Sequence, residues 1–322
     1  MDQNSPSKKK LNILPSKPEE GSGRGPSGRG PSGRFPSWLH RKIPSGGDHF
    51  KTDAILEKYR LNTVCEEAKC PNRMECYSKK TATFLALGKE CTRNCGFCDI
   101  DFSKTPKKPE EDEPERIAAS VKELGLTHVV ITMVARDDLP DGGAAQIGRT
   151  IEQIRLVNPG VTVEVLTSDF QGNRDSIDLV LSQHPDIFNH NIETVRELSP
   201  RVRHRANYER TLEVLKYVKE QKKSSFLKSG IMVGLGETPD QVKQTILDLI
   251  EVGCDIITIG HYLQANVKKL TVKSFITPEQ FKEYEEFGYQ AGAKHMYSGP
   301  FVRSSYNAKD IQSFLTQKAF HG

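Results

Sequence analysis

The run CTRNCGFCDI places Cys91, Cys95 and Cys98 in a Cys-xxx-Cys-xx-Cys pattern. Three thiols this close, with Gly96 between two of them to let the backbone wrap, can converge on one small inorganic body. Thiolate sets of this kind hold iron–sulfur clusters, and a cubane normally takes four. The local run stops at three, which leaves one iron open to a small molecule. A structural zinc knuckle is the alternative. Zinc wants four tetrahedral ligands, often as paired Cys-xx-Cys hooks. Only Cys95 and Cys98 form such a hook, so the spacing favours a cluster. Just upstream, VCEEAKCPNRMECYSKK sets Cys65, Cys70 and Cys76 in Cys-xxxx-Cys-xxxxx-Cys order. In isolation that set reads as a zinc site or as buried structural cysteines. Two triads so near each other make accident improbable, and the second implies a second cluster.

The Cys91 spacing resembles the signature of the radical S-adenosylmethionine enzymes. That resemblance implies that the methionine amino and carboxylate groups chelate the open iron. GIMVGLGET resembles the adenine-contacting motif of the same superfamily, through Gly230, Gly234 and Glu237, with Met232 at the apolar position. It lacks the full glycine phosphate-loop pattern. Glycines admit a flat ring close to the backbone, and the apolar side chain covers a ring face. In FNHNIET, strand alternation puts Asn189, Asn191 and Glu193 on one face, with His190 and Ile192 on the other. Three polar groups at a strand end suit a ribose or an amino-acid zwitterion; a hydrogen-bonded core network is the alternative. ARDDLPDGG packs Arg136, Asp137, Asp138 and Asp141 into one loop. Its carboxylates read first as turn and cap residues, while Arg136 is a candidate carboxylate contact. Cys254 is alone and is assigned no role. His190 and His261 flank strand ends, where core or hydrogen-bonding roles are favoured.

The elements that must position these groups alternate. TATFLALG, THVVITMV, VTVEVLTS, PDIFNHNIE, SGIMVGLG and DIITIGHYL are strand candidates, each followed by a segment of 3.6-type apolar spacing. Six strand–helix units indicate a parallel sheet. A closed eight-unit barrel needs two more, so an α/β fold with an open, partial (β/α)6 barrel of TIM type is expected. Its chemistry would sit at the C-terminal strand ends, where the Cys91 loop falls. Ahead of it, FKTDAILEKYRL reads as a helix with Thr52 or Asp53 as N-cap.

Four segments follow. Residues 1–34 are a basic Gly/Ser/Pro-rich tail, read as disordered because such composition buries too little apolar surface. Residues 35–80 form an N-terminal extension with the second triad. Residues 81–292 are the barrel core, and 293–322 a C-terminal segment containing GPFVRSSYNA. Of the +4 formal charge, residues 1–51 carry +6, leaving −2 for the rest. The folded part therefore gives no reason to expect a nucleic-acid groove. A zinc-stabilised RNA-binding protein using the Gly-Arg run is the rival from another class. No apolar run is long enough to cross a membrane, no export signal is evident, and seven cysteines, six of them bunched between 65 and 98, do not look like an extracellular disulfide framework. A reducing cytoplasm is the expected location.

The order of the two triads, then RDDLPDGG, FNHNIET and RSSY, resembles the lipoyl synthase family from about residue 50 to about residue 308. The resemblance implies a sulfurtransferase that inserts two sulfur atoms at carbons 6 and 8 of an octanoyl group on a lipoyl carrier domain. It implies two 4Fe-4S clusters. One sits at Cys91, Cys95 and Cys98 with S-adenosylmethionine. The other is an auxiliary cluster at Cys65, Cys70, Cys76 and Ser305, and it is the sulfur donor. Arg303 would assist its release. The implied partners are octanoylated lipoyl domains or H protein, an electron donor such as ferredoxin or flavodoxin, and an iron–sulfur carrier for cluster repair.

Overall fold

The structure is a computed structural model that describes residues 35–40, 48–79 and 81–305. The tail at 1–34 and the end of the C-terminal segment lie outside the described residues.

The centre is one parallel sheet. Its strands are β1 (Thr83–Ala86), β4 (His128–Met133), β5 (Thr162–Leu166), β6 (Ile187–Asn189), β7 (Phe226–Val233), β8 (Ile256–His261) and β9 (His295–Gly299), adjacent in that order. Two further strands, β2 (Glu90–Cys91) and β3 (Asp101–Phe102), form a separate parallel pair. Every residue of β1, β4 and β8 is buried, as expected for a parallel sheet covered on both faces.

The six expected strand–helix units are present. Their helices are Glu113–Leu124, Ala144–Val157, Arg174–Leu181, Tyr208–Gln221, Pro239–Glu251 and Pro278–Gln290. The local chemistry that starts and stops them is direct. Thr238 and Gln241 make a reciprocal capping box ahead of Pro239. Gly125, left-handed at φ +66°, ends Glu113–Leu124. Ile117 and Val121 from the first helix, Ile147, Ile151 and Ile154 from the second, and Ile177 and Val180 from the third pack with Phe84, Ile131 and Val165 of the strands in one core. Burying each such side chain contributes about 1.5–3 kcal/mol.

Two expectations are corrected. The sheet has seven strands, not six: β9 lies at 295–299, in the segment read as a C-terminal tail, and pairs in parallel with β8. Its residues are mixed and mostly half-buried, so the strand pattern is weak. The first long helix is Asp48–Lys58, so Thr52 and Asp53 lie inside it and do not cap it. The Thr52 hydroxyl donates instead to the Tyr77 carbonyl at 2.9 Å, tying this helix to the one that carries Cys76.

Candidate functional site

The first triad is held by a loop that the backbone closes. After β1 the chain turns through Leu87 and Gly88, both at positive φ, and their amides donate to the Glu113 carboxylate at 2.8 and 3.3 Å. β2 then delivers Cys91, and β3 returns beside it, with the Ser103 amide donating to the Cys91 carbonyl at 2.9 Å. The Arg93 amide donates to Cys91 Sγ at 3.3 Å. The Arg93 side chain is buried and forks onto Asp137 at 2.9 and 2.8 Å and onto Asp169 at 2.7 Å. Arg210 reaches the other Asp169 oxygen at 3.2 Å. The cluster loop is thereby clamped to the loops after β4 and β5. Gly96 sits where a Cβ would lie 2.9 Å from Leu270, which explains the glycine between Cys95 and Cys98 by close approach.

The second triad rides on two short helices, Val64–Glu67 and Arg73–Ser78. Thr63 caps the first by accepting from the Glu66 amide at 3.3 Å, and its hydroxyl meets Tyr77 Oη at 2.6 Å. The Cys70 amide donates to the Cys65 carbonyl at 3.0 Å. This unit lies along the free edge of β1, where Thr63 bridges Phe84. Lys69 pairs with Asp99 at 2.7 Å, joining it to the residue after Cys98. Asn72 Nδ2 donates to the Phe301 carbonyl at 2.8 Å, joining it to the chain leaving β9.

All six of these cysteines, together with Arg303, Ser304 and Ser305, line one cavity of about 1190 Å³. It lies over the C-terminal strand ends. Asn191, Glu193, Gly230 and Met232 form one wall. Asn191 Nδ2 donates to Glu193 Oε1 at 3.1 Å. Glu193 has φ +67°, a conformation that costs a non-glycine residue energy. It is held there because its amide donates to the Gly230 carbonyl at 2.9 Å and its carbonyl accepts from the Met232 amide at 2.8 Å. Burial raises the Glu193 carboxyl, against the opposing pull of Arg203. His190 and His261 also line the cavity. Burial, with Arg203 nearby, pushes His190 down to about 4, so its ring is neutral at pH 7 and is held by the Thr167 carbonyl at 2.9 Å.

None of the cysteines is disulfide-bonded. Burial pushes Cys65 up to about 11, and Cys76 and Cys98 each up to about 12. It raises Cys91 and Cys95 as well. Buried thiols of this kind stay protonated until a cationic body replaces the proton. Among the described residues, no three His, Cys, Asp or Glu side chains converge tightly enough for a single metal ion. A cubane is larger and needs its thiolates spread around it. The chemistry of the donors, soft thiols in sets of three, fits iron–sulfur clusters.

Four expected contacts, Arg136, Asn189, Gly234 and Glu237, are not in the cavity wall. Arg136 is buried and spent on Asp138, through Nε at 2.8 Å and Nη2 at 2.7 Å. Asp141 accepts from the Gly143 and Ala145 amides, which is the turn role. Asn189 does share a face with the polar groups above it but lies deeper, donating to Glu164 at 2.7 Å. Lys228 holds both oxygens of that carboxylate at 3.0 and 3.1 Å, making a buried barrel floor. Gly234, at φ +103°, and Glu237 build a turn in which the Glu237 carboxylate accepts the Gly234 and Leu235 amides. Cys254 is buried away from the site. Sequence reasoning missed Arg93, Asp169, Arg203, Asn72 and Ser304. The local signals available were an arginine inside the Cys91–Cys98 run and the first serine of RSSY.

The profile of the Radical SAM superfamily matches residues 85–249, and that of the N-terminal domain of lipoyl synthase of the Radical SAM family matches residues 9–70. The likeness therefore begins well before residue 50, inside the stretch that composition reads as a tail. The chain is 59% identical over 326 residues to the lipoyl synthase of Protochlamydia amoebophila, covering 99% of this chain and 98% of that one. It is 50% identical over 281 residues to the lipoyl synthase of Chlamydia muridarum, covering 87% and 91%. Among solved structures, Streptococcus suis SuiB bound to S-adenosylmethionine aligns with a TM-score of 0.54 at 13% identity, covering 70% of this chain and 54% of that one. This chain spans about half the length of SuiB, and the likeness concerns the fold alone. On the strength of the sequence matches, the chain belongs to the lipoyl synthase family of the radical S-adenosylmethionine superfamily.

Proposed function

We propose that the chain converts an octanoyl group, held in amide linkage on a lysine of a lipoyl carrier domain, into the lipoyl cofactor by inserting sulfur at carbons 6 and 8. The observation that carries the reading is the meeting of both cysteine triads with Arg303, Ser304 and Ser305 in one cavity. The target C–H bonds are unactivated, so no side-chain base can ionise them and general acid–base catalysis fails. When bound, a cluster with S-adenosylmethionine supplies a carbon radical able to take such a hydrogen.

The chain's own residues have the following roles. Cys91, Cys95 and Cys98 hold the first 4Fe-4S cluster, and supplying only three thiolates keeps one iron open to the cosubstrate. Asn191 and Glu193 offer an amide and a carboxylate to its polar groups. Gly230 allows close approach, and Met232 covers an apolar ring face. Cys65, Cys70, Cys76 and Ser305 hold the auxiliary cluster, the source of the sulfur. Ser305 would give that cluster one oxygen ligand, which holds soft iron less firmly than a thiolate would, with Arg303 two residues before it in the same cavity wall. The substrates are octanoylated lipoyl domains or H protein. A ferredoxin or flavodoxin supplies electrons, and an iron–sulfur carrier rebuilds the spent cluster, all in the cytoplasm. Among the described residues no helix is long and apolar enough to cross a membrane.

The test is anaerobic incubation with an octanoyl-lysine peptide, S-adenosylmethionine and a reductant, read by mass spectrometry. Two added sulfurs per peptide are expected. A peptide that stays unchanged while S-adenosylmethionine is consumed would overturn the proposal.

A further inference from the structure

The chain leaving β9 forms a short strap, residues 301–305, that crosses the cavity. Its start is held by the second triad's unit, through Asn72 Nδ2 to the Phe301 carbonyl at 2.8 Å. Its middle lies on β8, where Gly260 has no Cβ to collide with the Val302 carbonyl. Towards its end, Ser304 Oγ donates to Asn191 Oδ1 at 2.8 Å. Gly230 makes room for this contact: a Cβ there would lie 2.9 Å from Ser304 Oγ and 3.0 Å from Asn191 Oδ1. Asn191 in turn donates to Glu193. One line of contacts therefore runs from Asn72, along the strap, through Ser304 and Asn191 to Glu193.

We infer that Ser304 is a positioning residue that latches the strap to the cosubstrate wall, so that seating of the strap and binding of S-adenosylmethionine favour each other. The inference rests on the assignment of Asn191 and Glu193 to that cosubstrate. Ser304 orients Asn191 by occupying its oxygen, which leaves the amide nitrogen for Glu193. A cosubstrate that needs this arrangement stabilises the seated strap, and a seated strap strengthens cosubstrate binding by the same factor, because linkage is reciprocal. The next residue is Ser305, which lines the same cavity, so the latch also restrains that residue. Loosening the strap would release Asn191, and each half of the cavity would register the state of the other.

The test is hydrogen exchange of the 299–305 peptide in the anaerobic two-cluster protein, with and without S-adenosylmethionine, alongside equilibrium binding of S-adenosylmethionine. In the unaltered protein S-adenosylmethionine should slow strap exchange. Ser304→Ala should weaken S-adenosylmethionine binding about two- to tenfold, the range for one intramolecular hydrogen bond, and abolish the slowing at saturating cosubstrate. Ser304→Thr, which retains the hydroxyl, should restore the slowing at least in part. Equal slowing in Ser304→Ala and the unaltered protein would overturn the latch alone. Asn191→Ala that binds S-adenosylmethionine as tightly as the unaltered protein would overturn both the latch and the cosubstrate assignment beneath it.

Discussion

Cys91, Cys95 and Cys98 are carried by a loop whose supports come from neighbouring strands, whereas Cys65 and Cys76 sit on two short helices, with Cys70 in the turn between them, and the unit is tied to the far end of the chain. The first loop is closed by β2 and β3 and clamped by Arg93 onto Asp137 and Asp169, with Arg210 behind. The second unit hangs on the free edge of β1 and is tied across the cavity by Asn72 to Phe301. The contrast fits the two proposed tasks. Under that proposal, a site that fires repeatedly would be held by buried charge and strand geometry, while a site that is dismantled and rebuilt would be bordered by the 301–305 strap.

The comparison can be broken most severely at the thiols. Cys95→Ala should abolish cleavage of S-adenosylmethionine, while Cys70→Ala should leave 5′-deoxyadenosine formation and abolish sulfur insertion. Each should lower iron from about eight to about four per chain, counting four irons per cubane, measured by metal analysis and product chromatography. If both variants lost both activities equally, the division of labour between the triads would fail. Next in size, Ser305→Cys should retain the second cluster and lose complete double insertion, checked by the mass of the peptide product. Unimpaired double insertion would remove the argument for a weak oxygen ligand.

A smaller effect sharpens the first half of the comparison. Arg93→Ala leaves Asp137 and one oxygen of Asp169 without their partner, with Arg210 still on the other oxygen, and should cost about 3–5 kcal/mol, measured by denaturant unfolding of the cluster-free chain. The same clamp sets an acid limit. Burial opposes ionisation of Asp169, yet Arg93 holds its carboxyl well below the usual range. Because the folded value is depressed, this stability is fully present above the unfolded aspartate pKa of about 3.9 and is lost as pH falls below it. Asp169→Asn should flatten that acid limb of the stability profile. The smallest effect expected is from Gly260→Ala, which must push the Val302 carbonyl aside at about 1–3 kcal/mol. It should hasten iron loss from the second triad while 5′-deoxyadenosine formation persists.

Much of this was legible in the residues. The six strand–helix units announce themselves because most of their strand residues are apolar and their helices carry a 3.6 period, as in VVITM followed by IGRTIEQI. The triads are legible because thiol spacing is local. What was not legible is which partner a side chain takes once folded and how deep it lies. Arg136 stands in a charged loop and looks available, but its partner Asp138 is two residues away and consumes it. Asn189 obeys the alternation that groups it with Asn191 and Glu193, yet alternation says nothing about depth, and Glu164 and Lys228 claim that level. Asn191 and Glu193 reach the wall beyond the end of β6, where the backbone is no longer regular strand. β9 was hidden because HMYSG at a sheet edge needs few apolar residues.

The barrel is open, with β1 at one edge and β9 at the other. Among the described residues no strand-to-strand ladder zips the gap. The second triad's unit leans on the β1 edge, the strap issues from β9, and Asn72 joins them. If Ser305 and Cys65, Cys70 and Cys76 share one inorganic body, that body is also a stitch in the wall of the protein. Spending it would then unpick the seam beside the chamber, and the doorway through which replacement iron arrives would be opened by the very turnover that made replacement necessary.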